Sequence, residues 1–205
     1  MEPFISLTGV AAPMLADDIN TDQITPVYRD LHPDYAKLLF ARKRKRPDGS
    51  DDPDFVLNKP QFKDAKILVA GQNFGCGSSR ESAVWAFVAV GIRCIIARSF
   101  ADIYRDNCLK NGVLPVVLPA GDAEAFEKLV VETDGTAPFS ADLRTQTVTA
   151  PGGRQFKFDI APEDRTILLE GLDDIGLTLK HAPDIAAWEQ RMQRERPWLQ
   201  SLSRT

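Results

Sequence analysis

A chain of 205 residues with 43% hydrophobic content is long enough to bury one good core and short of a typical multidomain length. A formal net charge of −4 and an isoelectric point near 5.3 exclude nucleic acid or an anionic membrane as the main electrostatic partner. The opening MEPFISLTGVAAPMLADD has no basic stretch leading into an apolar core, and the most apolar run, AVWAFVAVGIRCIIA, is broken by Gly91 and Arg93, so a soluble cytoplasmic protein is expected.

Residues 4–15 read as a short β segment and turn, followed by DDINTDQITP, where Asn20, Thr21 and Asp22 are turn formers ahead of Pro26. From Asp30 to Asn58 the periodicity weakens. HPDYAKLLF suggests a short helix, and the basic run RKRKR (Arg42 to Arg46) is nearly cancelled by the acidic DGSDDPD that follows. A long mobile loop over about 29–60, solvated or docking on another subunit, is expected. KILVA (Lys66 to Ala70) then reads as a strand, GQNFGCGSSRES (71–82) as a glycine-rich turn, and AVWAFVAV (Ala83 to Val90) as a helix stopped by Gly91.

RCIIA (Arg93 to Ala97) has the pattern of a buried strand. SFADIYRDNCLKNG predicts a helix with Ser99 as N-cap, an apolar stripe of Phe100, Ile103, Tyr104 and Leu109, and Gly112 as its stop. With VLPVVL as a further strand, the alternation predicts crossover units around a parallel or mixed sheet. AEAFEKLVVE (Ala123 to Glu132) is an amphipathic helix. LRTQTVTA and RQFKFDI form a hairpin across Pro151, Gly152 and Gly153, which gives an α/β/β layer arrangement. EDRTILLEGLDDIGLTL predicts a short helix and a turn, with Asp173 and Asp174 as turn residues. A C-terminal helix over about 183–199 carries Ile185, Trp188 and Met192 on one face, for docking on the core or a partner. The whole reads as a single α/β domain over 1–205. Cys76, Cys94 and Cys108 are odd in number and widely spaced, so no disulfide framework or metal site is indicated.

The glycine-rich turn holds the chemistry. Gly71, Gly75 and Gly77 permit positive φ and close approach of another group. Ser78, Ser79, Arg80 and Glu81 fall where a helix begins, so free N–H groups, the positive end of the helix dipole and a guanidinium converge on a place suited to a carboxylate or phosphate. Ser78 and Glu81 also have the spacing of a capping box. Capping alone requires neither a second serine, nor an arginine, nor three preceding glycines. The turn is neither a P-loop, since no lysine follows the glycines, nor a dinucleotide fingerprint, since Arg80 stands where a third glycine belongs.

NFGCGSSRE (Asn73 to Glu81) resembles the signature of the small-subunit, or swivelling, domain of the aconitase superfamily. In detail the chain is most similar to the 3-isopropylmalate dehydratase small-subunit family. DDINTDQITP (Asp17 to Pro26), SFADIYRDNCLKNGVLPV (Ser99 to Val116) and LDDIGLTL (Leu172 to Leu179) extend the likeness in order along most of the chain. The resemblance implies a layered β/β/α swivelling domain and a hydro-lyase small subunit that isomerises 2-isopropylmalate to 3-isopropylmalate in leucine biosynthesis. It implies Ser78 as the catalytic base, Ser79 and Arg80 as the holders of a substrate carboxylate, and Arg29 in a loop near the substrate's distal group. No cofactor is expected on this chain; a 4Fe-4S cluster acting as Lewis acid is expected in a separate large subunit, which is the implied partner. Ser82 stands where members of this family usually have histidine, and Arg98 where they have proline. Related hydratases acting on citraconate, methylmalate, maleate or homoaconitate-type acids, and a non-catalytic anion-binding paralogue, are the alternatives.

Overall fold

The computed structural model describes residues 1–27, 34–77 and 80–198. Arg29, Ser78 and Ser79 lie outside them. The stretch that reads as one domain with a C-terminal helix divides into two compact units, Met1–Gly171 and Leu172–Thr205.

Among the described residues the first unit holds two four-stranded sheets. Strands β1 (Ser6–Gly9) and β2 (Ala11–Met14) come from the stretch read as one β segment, yet they belong to different sheets. The chain crosses at Val10, whose carbonyl accepts from the amides of Lys66 and Ile67. A side chain at Gly9 would collide there with Lys66, its Cβ 2.7 Å from that of Lys66, so only glycine lets the strand pass. After the short helices α1 (Thr21–Ile24) and α2 (Tyr35–Leu38) come β3 (Ile67–Ala70), α3 (Ser82–Ala89), β4 (Cys94–Ala97), α4 (Asp102–Lys110), β5 (Leu114–Val117) and α5 (Ala120–Thr133). β2, β3, β4 and β5 lie side by side in that order, all parallel. Pro13 and Pro115 sit in the two outermost strands of this sheet, where the missing amide costs no ladder bond on the open side.

β3 and β4 are buried throughout, as strands covered on both faces must be. Alternation sends Ile67, Val69, Cys94 and Ile96 into one half of the core and Leu68, Ala70, Ile95 and Ala97 into the other. On the first side they meet Phe126 and Val130 of α5 and the second sheet. That sheet, in the order β1, β6 (Phe139–Asp142), β7 (Thr147–Thr149), β8 (Gln155–Lys157), is antiparallel. On the second side they meet Ala83 and Phe87 of α3 and Tyr104 of α4. The layers are those of a swivelling domain, and the β7–β8 hairpin turns where Pro151–Gly153 predicts it. Strand β6, in the unremarked APFSAD, completes the sheet by pairing with β1.

Helix α6 (Pro162–Glu170) closes the first unit. The segment expected as a long loop holds, besides α2, single 3-10 turns at Val56–Asn58 and Pro60–Phe62, and it sends Leu38, Leu39, Phe40 and Leu57 into the core. Its basic run is matched by its acids: Lys45 pairs with Asp51 at 2.6 Å and Arg46 with Asp52 at 3.8 Å. The second unit contains α7 (Asp174–Leu179) and α8 (Ala182–Glu195). Asp173 has the structural turn role expected of it, its carboxylate accepting from the Gly176 amide at 2.6 Å to cap α7. Among the described residues no helix is long and apolar enough to cross a membrane.

Candidate functional site

Strands β2, β3 and β4 run in one direction, so their carboxyl ends deliver three loops to one edge of the parallel sheet, the place where open α/β sheets bind ligands. These loops are three of the motifs that carry the resemblance. Backbone bonds zip them together: Asp18 N–H to Gln72 O at 3.0 Å, Gly75 N–H to Ile19 O at 2.7 Å, Thr21 N–H to Cys76 O at 3.0 Å, and Phe74 N–H to Ser99 O at 3.0 Å. Side chains add to this. The Gln72 amide donates to Asp17 at 2.6 Å, the Asn73 amide to Ser99 Oγ at 2.8 Å, and the Asn73 side chain to Asp18 at 2.7 Å.

This geometry divides the glycine-rich turn. The amides of residues 72–75 are all spent on the neighbouring loops, so the first half of the motif is a platform and cannot cradle an anion. Gly71 exists for close approach, because a Cβ there would stand 2.7 Å from Ala16 O. At Gly75, with φ +78°, a Cβ would overlap the Tyr104 ring. In the second half, Gly77 has φ +88° and helix α3 starts at Ser82.

Two expected caps are corrected. Helix α3 begins at Ser82 with Glu81 at its N-cap, one turn later than a Ser78–Glu81 capping box requires. The Glu81 carboxylate instead accepts from Asn111 Nδ2 at 2.9 Å, and Asn111 Oδ1 accepts from Trp85 Nε1 at 2.9 Å, which ties the start of α3 to the end of α4. Helix α4 begins at Asp102 with Ala101 at its N-cap, because Ser99 is occupied as acceptor for the Asn73 amide. At Ser99 interloop bonding outcompeted local capping.

Of the expected site residues, Arg80 is described. Its guanidinium forms an ion pair with Asp22 of α1, and its side chain is 22% exposed. Its Nε is buried and donates to no described residue. A buried guanidinium donor without a partner among the described residues calls for an acceptor, and a carboxylate oxygen can supply one. Asp22 was legible in sequence only as a turn former; its link to Arg80 spans 58 positions and carries no local signal. Arg98, the residue in place of the usual proline, makes a bidentate pair with the nearly buried Glu127, at 2.8 and 2.6 Å, and this pairing holds its guanidinium charged. Its amide donates to Gly71 O at 3.2 Å, so it braces the turn from the β4 side.

The cysteines do not fit a cluster ligand set. Cys94 and Cys108 are buried in opposite halves of the core, where desolvation pushes both thiols up, while Cys76 is half-buried in the turn. Titration of the native chain with a thiol reagent is expected to show one reactive equivalent, Cys76, and three after unfolding; two fast native equivalents would contradict this placement. A separate cavity of about 590 Å³, floored by Leu39, Leu57, Phe62 and Ile92, opens at the amino ends of β3 and β4, away from the loops described above.

The comparisons agree with this architecture. Residues 1–121 match the aconitase C-terminal domain, residues 129–162 match LeuD_N, and residues 174–201 match the C-terminal domain of the 3-isopropylmalate dehydratase small subunit. The 3-isopropylmalate dehydratase small subunit of Xanthobacter autotrophicus is 49% identical over 97% of this chain and the whole of that protein. The protein of the same name from Sinorhizobium fredii is 48% identical over the same shares. The crystal structure of a 3-isopropylmalate dehydratase from Methanocaldococcus jannaschii superposes with a TM-score of 0.62 at 27% identity, covering 90% of this chain and 99% of that one. With the layers, the glycine-rich turn and the motifs all in register, the chain belongs to the 3-isopropylmalate dehydratase small-subunit family of the aconitase superfamily.

Proposed function

We propose that this chain is the small subunit of 3-isopropylmalate dehydratase, a hydro-lyase that interconverts 2- and 3-isopropylmalate in the leucine pathway of the cytoplasm, and that it works only when joined to a large subunit. The observation that carries the reading is Arg80: a guanidinium whose buried Nε donates to no described residue, held at the carboxyl edge of the parallel sheet where three family motifs are zipped together. In this reading Arg80 takes one substrate carboxylate, with Asp22 holding its side chain in place between turnovers. Ser79 shares that carboxylate, and Ser78 removes the proton from the adjacent carbon. Arg29 is assigned, on the family resemblance, to contact the substrate's distal group.

A serine hydroxyl is a weak acid, so its anion depends on fixed donors; the Ala83, Val84 and Trp85 amides of α3 are already bonded to the Arg80 and Glu81 carbonyls, so in this reading the Arg80 guanidinium is the main stabiliser from this chain. Each such donor is worth roughly 3–4 kcal/mol in a dry site. Dryness requires the large subunit to close over the turn. The cysteines of this chain do not fit a 4Fe-4S cluster; the family resemblance assigns one to the large subunit, where it would supply Lewis acidity toward the departing hydroxyl.

The test is anaerobic reconstitution with the large subunit and a panel of hydroxy-dicarboxylates, read by the ultraviolet absorbance of the unsaturated product. Turnover of 2-isopropylmalate above the other acids is expected; a preference for methylmalate or malate overturns the substrate, and silence with an intact complex overturns the activity. Arg80→Lys keeps the charge but loses the planar fork, and it is expected to raise KM for isopropylmalate by about 10- to 100-fold.

A further inference from the structure

In the second unit, from Leu172 to Trp198, no described residue is buried. Its apolar side chains are nevertheless large and in helical register. Ile185 and Trp188 of α8 are 37% and 55% exposed, with the half-buried Met192 one turn further on, and Ile175 and Leu179 of α7 are 69% and 62% exposed. Spacings of three and four place Ile185, Trp188 and Met192 on one stripe, the pattern of a helix laid into an apolar groove. A unit of two helices, the longer of 14 residues, is marginal in water without a surface to cover it.

The occupant follows from two observations. The family match is itself divided: residues 1–121 match a domain described as the C-terminal part of aconitase, whereas residues 174–201 match a segment described as belonging to the small subunit. The helices therefore accompany the state in which this domain is a separate chain, where effective concentration has to come from extra contacts. The area points the same way. The four exposed large apolar side chains of α7 and α8, Ile175, Leu179, Ile185 and Trp188, offer on the order of 400 Å², well below the roughly 800 Å² per partner that a stable self-association needs. That area suits a clasp added to a larger interface formed elsewhere.

Resting on the small-subunit reading, we infer that α7 and α8 form a clasp whose Ile185 and Trp188 dock into an apolar groove on the large subunit. Aromatic anchors of this kind dominate interface energetics. The test uses the full-length chain and the large subunit, with Kd measured by calorimetry. Ile185→Ala with Trp188→Ala is expected to weaken association by at least 30-fold, leave kcat at saturating small subunit unchanged, and leave the unfolding midpoint of the chain in place, since neither side chain is buried. Trp188→Phe should keep most of the affinity. An unchanged Kd for the double variant overturns the clasp, as does a variant that only dissociates a small-subunit homodimer. A wild-type complex that forms but turns over no isopropylmalate sinks the functional reading alone, and the Kd comparison still decides the clasp.

Discussion

Replacing Ser78 with alanine is expected to lower kcat of the assembled enzyme by about a thousandfold, in the middle of the range for loss of a positioned proton-transfer group, while affinity for the large subunit stays at the wild-type value. The reasoning starts from what the turn leaves over. The amides of residues 72–75 are committed to the loops beside them, and Glu81 is committed to Asn111. That leaves the motif from Cys76 onward, and in the proposed reading the family resemblance makes Ser78 the base. Ser99→Ala is the matched control. That serine is near the turn but bonded to the Asn73 amide, so its loss should lower stability more than kcat. Turnover of the Ser78 variant within threefold of wild type, with the complex intact, removes this serine from the mechanism.

Gly75→Ala is expected to lower the unfolding free energy by about 3–5 kcal/mol, a drop of roughly 10 °C in Tm for a chain of this size. Two effects add. At φ +78° any side chain is strained, and a Cβ here would also overlap the Tyr104 ring. Tyr104 is fully buried, packed at 5.5 Å from Phe74 between ring centroids, and has no room to retreat. Gly152→Ala separates the two effects. Its φ is +82°, yet a Cβ there would meet nothing within 4 Å, so it should lose about 1 kcal/mol from backbone strain alone. Thermal melts of the two variants side by side decide the matter; equal losses would mean that the Tyr104 contact carries no weight.

Much of the layer order is local physics and is legible in the residues alone. ILVA and CIIA are short apolar runs bounded by turn signals, the pattern of strands covered on both faces, and the turns at Gly91, Gly112 and Pro151–Gly153 lie where glycine chemistry places them. The site was legible as a motif for the same reason: the glycines, serines and Arg80 are contiguous. What escaped the sequence is what depends on pairing between distant segments. FISLTGVAAPML looks like one β stretch, and only the partners β6 and β3 split it between two sheets. Ser99 looks like an N-cap, but the Asn73 amide claims it from 26 positions away.

By itself, then, the sequence determined the alternation of strands and helices, the conformational freedom of the central turn and the family to which the chain belongs, because each rests on residue types at short and fixed spacing. Only the tertiary structure decided that the first half of that turn is scaffold, that Asp22 holds Arg80, and that Glu127 holds Arg98. Those relations join segments 58 and 29 positions apart. Hydrogen bonds and ion pairs act over a few ångströms of space, whatever the separation along the chain.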